Sequence, residues 1–142
     1  MSINDIFFLM ASKDLEPEIL SPDCPLRQTL GLLGDPWQPQ VIYLLSFGTK
    51  RYNEFQKKIP GLSNKHLTQT LRSLEMHGVV HRHVYAVVSP KVEYTLTNFG
   101  KKLVAPVKVI VTWSEMHTKE LNDAAQYHQE RLELNLENKS KK

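Results

Sequence analysis

The sequence has little cysteine, no grouped glycine and no long apolar run, and each shortage excludes something. One thiol, Cys24, in 142 residues leaves no intramolecular disulfide and no zinc site built on several thiolates. The six glycines are scattered, so no glycine-rich phosphate loop exists. Neither a nucleophile elbow nor a His-Glu-x-x-His run occurs. Enzymatic function and a bound cofactor are therefore not expected. The run Ile6-Phe7-Phe8-Leu9-Met10 follows Asp5 rather than a basic segment. It is far shorter than the ~20 apolar residues of a membrane helix and has no signal-peptide flank. A cytoplasmic protein with a reduced thiol is the expectation.

What is present is an uneven charge. The total is only +3, but residues 1–48 carry two basic and six acidic groups, while residues 49–91 carry eight basic and two acidic. The last 51 residues hold eight basic and seven acidic groups. A −4 start, a +6 middle and a nearly neutral end place an electrostatic footprint for nucleic acid, or else a merely solvated face, in the middle of the chain. The length suits one domain. Residues 1–23 read as an arm containing a short amphipathic stretch. Residues 24–118 read as the domain, and 119–142 as a helical extension ending, from about Asn138, in a disordered Lys-rich tail.

Within the domain the hydrophobic period changes repeatedly. Pro25 opens a helix with Leu26, Leu30 and Leu33 on one face, and Gly34 ends it. Pro39 opens a second helix that buries Val41, Ile42, Leu44 and Leu45. Tyr52, Phe55 and Ile59 mark a third, over 51–59, which Pro60-Gly61 stops. Ser63 caps a fourth over 63–77, with Leu67, Leu71 and Leu74 inside and Gly78 after its end. A period of two follows. Val80, Arg82 and Val84 alternate with His81, His83 and Tyr85, and after a turn Val92, Tyr94 and Leu96 alternate with Glu93 and Thr95, which predicts a β-hairpin. Thr97 caps one long last helix through Phe99, Leu103, Val107, Ile110, His117 and Leu121, bent at Pro106. Its apolar residues surround most of the circumference, which calls for more than one neighbour.

The order short helix, tight turn, helix, hairpin, long helix is that of a winged helix-turn-helix, a mainly α fold with a small β wing. In such motifs the second helix enters the DNA major groove. Opposite its leucine stripe stand Lys65, Thr68, Gln69 and Arg72, with Ser63 and Asn64 at the N-terminal turn. Gln and Asn suit adenine, Arg suits guanine, and Thr offers hydroxyl and methyl groups. The first-turn N–H groups suit a phosphate. Arg51 and Lys50 before the third helix, with Arg82, His83 and Lys91 on the hairpin, are placed for backbone or minor-groove contacts. Duplex DNA is favoured over RNA, because the A-form major groove does not admit a helix. A protein-interaction module on the same fold is the competing function. His77, His81 and His83 raise the question of a metal, but with no acidic or thiol partner near them no metal site is expected.

Several ordered motifs carry a family resemblance. They include Cys24-Pro25, Trp37, Val41-Ile42 with Leu44-Leu45, and Arg51-Tyr52-Asn53-Glu54-Phe55. Ile59-Pro60-Gly61-Leu62-Ser63, Leu67-Thr68-Gln69, Leu71-Arg72, Leu74-Glu75 and Gly78-Val79-Val80 continue the series. Pro90-Lys91-Val92-Glu93-Tyr94-Thr95-Leu96-Thr97, followed by Gly100, is the most specific stretch. Over about residues 24–118 the chain resembles HxlR-type transcriptional regulators, a branch of the MarR-like winged-helix proteins. The resemblance implies a cytoplasmic homodimer joined by N-terminal and last helices, bound to a two-fold symmetric operator. It assigns Ser63, Asn64, Lys65, Thr68, Gln69 and Arg72 to the recognition helix and Arg82 and Lys91 to the wing. Gly34-Asp35-Pro36-Trp37 departs from a Gly-Gly-Lys-Trp-like run, and Ser89-Pro90 from a Pro-Pro-like wing corner.

Several members of that family sense oxidants or electrophiles through a thiol near the first helix, and Cys24 occupies such a place. A helix N-terminus favours a thiolate, whereas the adjacent Asp23 opposes it. Two readings stand: a redox-sensing Cys24 in a repressor, or a structural Cys24 in a regulator answering to a small ligand.

Overall fold

The computed structural model of the chain describes residues 25–140, and the chain divides between Asp35 and Pro36 into two units. Of the first unit, helix α1 (Pro25–Leu33) is described. Leu26 and Leu30 lie on it exposed, and it buries no residue. Cys24, the arm 1–23 and the last two residues lie outside the described residues.

The second unit assembles from the apolar residues the sequence spaces so regularly. Helix α2 (Trp37–Leu45) starts two residues before Pro39, which stands in its first turn where its missing N–H is harmless. Val41, Ile42 and Leu45 are buried and Leu44 is half-buried. A two-residue strand, β1 (Lys50–Arg51), leads directly into α3 (Tyr52–Lys58). The expected helix over 51–59 is therefore shorter. Arg51 is extended, at φ −90° and ψ 159°, because it pairs in a sheet and precedes the helix instead of joining it. Its backbone N–H donates to Glu54 Oε2 at 2.7 Å, half of a capping box.

After Pro60-Gly61, where Gly61 takes φ +80° as few other residues can, Ser63 caps α4 (Asn64–Met76). Ser63 Oγ accepts the His66 backbone N–H at 3.2 Å. Leu67, Leu71 and Leu74 are buried as spaced, together with Thr70. Strands β2 (Val80–Tyr85) and β3 (Lys91–Leu96) form the hairpin, and β1 adds to the outer edge of β3, giving an antiparallel sheet of order β1-β3-β2. Only Val80 of β2 is buried, so the hairpin's alternation does not bury one whole face. Phe55 of α3 meets Tyr94 of β3 edge to face at 5.9 Å, joining the sheet to the helical core.

The single long helix expected after Thr97 is two helices, α5 (Asn98–Met116) and α6 (Thr118–Ser140). Helix α5 runs through Pro106 as one element. The break falls at His117 (φ −114°, ψ 24°), where side chains compete for helical carbonyls. His117 Nδ1 lies 2.8 Å from the Trp113 carbonyl oxygen. The Thr118 hydroxyl donates to those of Ser114 and Glu115. Helix α6 also carries Asn138 and its neighbours through Ser140, in place of the tail expected to be disordered. Leu103 and Val107 of α5 are buried, whereas Phe99, Ile110, Trp113 and Leu121 are about half exposed. Helix α6 buries nothing. Among the described residues no helix is long and apolar enough to cross a membrane.

Candidate nucleic-acid interface

The solvent face of α4 follows from its core face. With Leu67, Leu71 and Leu74 inward, the 3.6-residue period turns Lys65, Gln69 and Arg72 outward, and all three are exposed. Among the described residues their side chains have no hydrogen-bonding or ionic partner, and neither does that of Arg82. Arg72 and Arg82 line one cavity of about 330 Å³ between α4 and the sheet, with Tyr52, Thr68, Leu71, Glu75 and Tyr94.

The other expected contact residues are engaged within the protein. Thr68 is half-buried, with its Oγ1 2.9 Å from the Tyr52 hydroxyl. Tyr52 also donates to the Asn64 carbonyl oxygen at 2.9 Å. Asn64 Oδ1 accepts from Gln56 Nε2, which leaves this oxygen one lone pair beside the amide N–H groups. Ser63 is occupied by its capping role, and His66 Nδ1 stands 3.0 Å from its hydroxyl. Trp37 stacks near His66, with ring centroids 6.4 Å apart.

Strand register separates the wing residues. Arg82 pairs across from Tyr94, and Tyr94 from Lys50, on the face turned toward α4. His83 pairs across from Glu93, and Glu93 from Arg51, on the opposite face with Tyr85 and Lys91. There Lys91 Nζ stands 2.7 Å from Glu93 Oε1 and 4.9 Å from the Tyr85 ring centre. Arg51 Nε reaches the same carboxylate oxygen at 3.9 Å. The Tyr85 hydroxyl donates to Glu93 Oε2 at 3.1 Å. The Lys91 hydrogen bond above all holds the Glu93 carboxyl below its ordinary range; desolvation, next in size, opposes it, and the Tyr85 hydrogen bond and the charges of Lys91 and Arg51 reinforce it. His83 meets Tyr85 edge to face at 4.3 Å and lies 6.2 Å from His81. Among the described residues no third ligand joins this pair into a metal-binding group.

Sequence reasoning missed Tyr52, Gln56, Tyr85 and Glu93 as parts of this surface. Tyr52 and Gln56 had a signal in their i, i+4 spacing on α3, facing residues 64 and 68 at the same interval. Glu93 had one in its i, i+2 spacing from Lys91 on the same strand face, whereas its contact with Arg51 had none, because two residues carry no recognisable strand period.

A recognition helix on a helix-turn-helix, flanked by a three-stranded wing, defines a winged helix-turn-helix transcriptional regulator. Residues 32–122 match the family described as HxlR-like helix-turn-helix, and the chain belongs to that family. It is 44% identical over 94 residues, 66% of this chain and 73% of the relative, to YdeP, an uncharacterized HTH-type transcriptional regulator of Bacillus subtilis. Among solved structures it is similar to the redox regulator HypR in its oxidized form. There the TM-score is 0.63 and the identity 43%, over 66% of this chain and 96% of that one. Diamide-treated YodB from B. subtilis is similar at TM-score 0.57 and 35% identity, over 66% of this chain and 93% of that one. The family and these relatives are transcriptional regulators, not enzymes.

Proposed function

We propose that the chain is a cytoplasmic homodimer that represses transcription by binding a two-fold symmetric operator, with residues 24–118 as its DNA-binding domain and 119–142 as an extension. The observation that carries this is the exposed, unpartnered row Lys65, Gln69 and Arg72, of which Arg72 shares a cleft with Arg82. Gln69 and Arg72 match base edges in the major groove, and Lys65 and Arg82 match phosphates. Ser63 presents the first helical turn to a phosphate, and Asn64 and Thr68 border the reading face. Arg51, His83 and Lys91 form the flank of the wing. The apolar residues left exposed on α5 supply a face for a second copy. Repression needs only occupancy, because a dimer seated across a promoter blocks polymerase. Selection of bound sequences from a random duplex pool tests the reading. The expected result is an inverted repeat with half-sites about one helical turn apart, or a multiple of it. An asymmetric motif, or no motif, overturns it.

The same reading extends to control through Cys24, supported by the likeness to a redox regulator and to a diamide-treated regulator. With one cysteine per chain, the products available are a mixed disulfide, a sulfenic acid, an alkylated thiol or a Cys24 bridge between two subunits. Diamide or a quinone is expected to change operator affinity in the wild type and not in Cys24→Ser. An equal change in both eliminates Cys24 as the sensor.

A further inference from the structure

Tyr52 stands on α3, off the reading face, with its hydroxyl oxygen 2.9 Å from two oxygens, the Asn64 carbonyl and Thr68 Oγ1. Proton bookkeeping settles the direction of both bonds. A carbonyl only accepts, and two oxygens this close repel unless a proton lies between them. The one Tyr52 proton therefore goes to Asn64. Toward Thr68 the Tyr52 oxygen can only accept, so the single Thr68 hydroxyl proton points at Tyr52. Thr68 lies between exposed Lys65 and Arg72 and beside Gln69.

We propose that Tyr52 is a specificity-determining positioning residue: it holds Thr68 on the reading face as a group with no proton to donate. This rests on α4 being the recognition helix. A Thr68 held in this way offers a groove a methyl group and oxygen lone pairs. Those match the amino groups of adenine and cytosine and the methyl of thymine. They offer nothing to guanine, whose major-groove edge only accepts. Loss of the Tyr52 hydroxyl returns the proton, which then rotates between the Asn64 carbonyl one turn back and a base in the groove.

The test compares sequences selected from a random duplex pool by full-length wild type, Tyr52→Phe, Thr68→Val and the double variant, with thermal unfolding of each. Valine keeps the shape of threonine without its proton. Wild type and Thr68→Val are expected to exclude guanine at one shared position per half-site. Tyr52→Phe is expected to admit it there, enriched about two- to tenfold, the size of one hydrogen bond. The double variant is expected to exclude it again. Identical base distributions for wild type and Tyr52→Phe overturn the inference, as does guanine admitted by Thr68→Val or by the double variant. If Tyr52→Phe fails to fold, Thr68→Val decides alone: guanine still excluded at that position, whatever the preference among the other bases, supports the inference, and guanine admitted there overturns it. A wild type that selects no motif overturns the DNA reading itself, a result distinct from these because it precedes any comparison of variants.

Discussion

At the scale of residues, one carboxylate governs two cations on the wing. Glu93 holds Lys91 and Arg51, so both are partly neutralised before any phosphate arrives. Glu93→Gln is expected to tighten binding to unrelated duplex at low salt and to steepen the fall of affinity with added salt, as measured by fluorescence anisotropy. Its folded pKa lies below the ordinary 4.5. The stabilisation from ionised Glu93 is therefore complete above about that pH and is lost as pH falls through the lower folded value. Acid unfolding curves are expected to lose this component in Glu93→Gln. On α4 the expected division is different. Gln69→Ala is expected to narrow the gap between operator and scrambled duplex by about 1–3 kcal/mol, whereas Arg82→Ala weakens binding to both. Gln69 and Arg72 were legible in the sequence because helical period alone places them outside. The engagement of Asn64 and Thr68 was not, because it depends on the packing of α3 against α4 and on individual hydroxyl protons.

At the scale of elements, the joint between hairpin and α5 is held by side-chain hydrogen bonds and by close backbone approach together. Thr97 Oγ1 donates to carbonyl oxygens of Gly78 and Val79 and accepts the Gly100 N–H at 3.0 Å, binding the start of α5 to the chain leaving α4. A Cβ at Gly100 would stand 2.1 Å from the Val79 carbonyl oxygen, which is backbone and has little room to yield. Gly100→Ala is expected to cost about 1–3 kcal/mol by urea unfolding. Thr97→Ala is expected to cost about 1 kcal/mol as a lost cap. Both caps, Ser63 and Thr97, were readable as Ser or Thr before an amphipathic run. The division of the last helix was not. His117 and Thr118 look like ordinary helix residues in a one-dimensional pattern, and their capture of carbonyls is a matter of rotamer. Strand β1 was equally hidden, since Lys50 and Arg51 become a strand only because β3 lies alongside.

At the scale of the whole molecule, charge is segregated along the chain: the +6 middle contains the helix-turn-helix and most of the wing. Affinity for duplex is expected to fall linearly on a log–log plot against salt, with each Arg82 removed lowering the slope by about one. A slope near zero would exclude phosphate contacts by this region. Strand β1 has a consequence for how such contacts are made. It is hydrogen-bonded to the wing through β3 on one side, and on the other it runs without a break into α3. The wing and the helix-turn-helix are therefore joined as one jaw, with little freedom to splay. On the proposed reading such a jaw is a gauge of fixed opening, and a duplex whose groove width does not suit it is expected to deform in order to be bound.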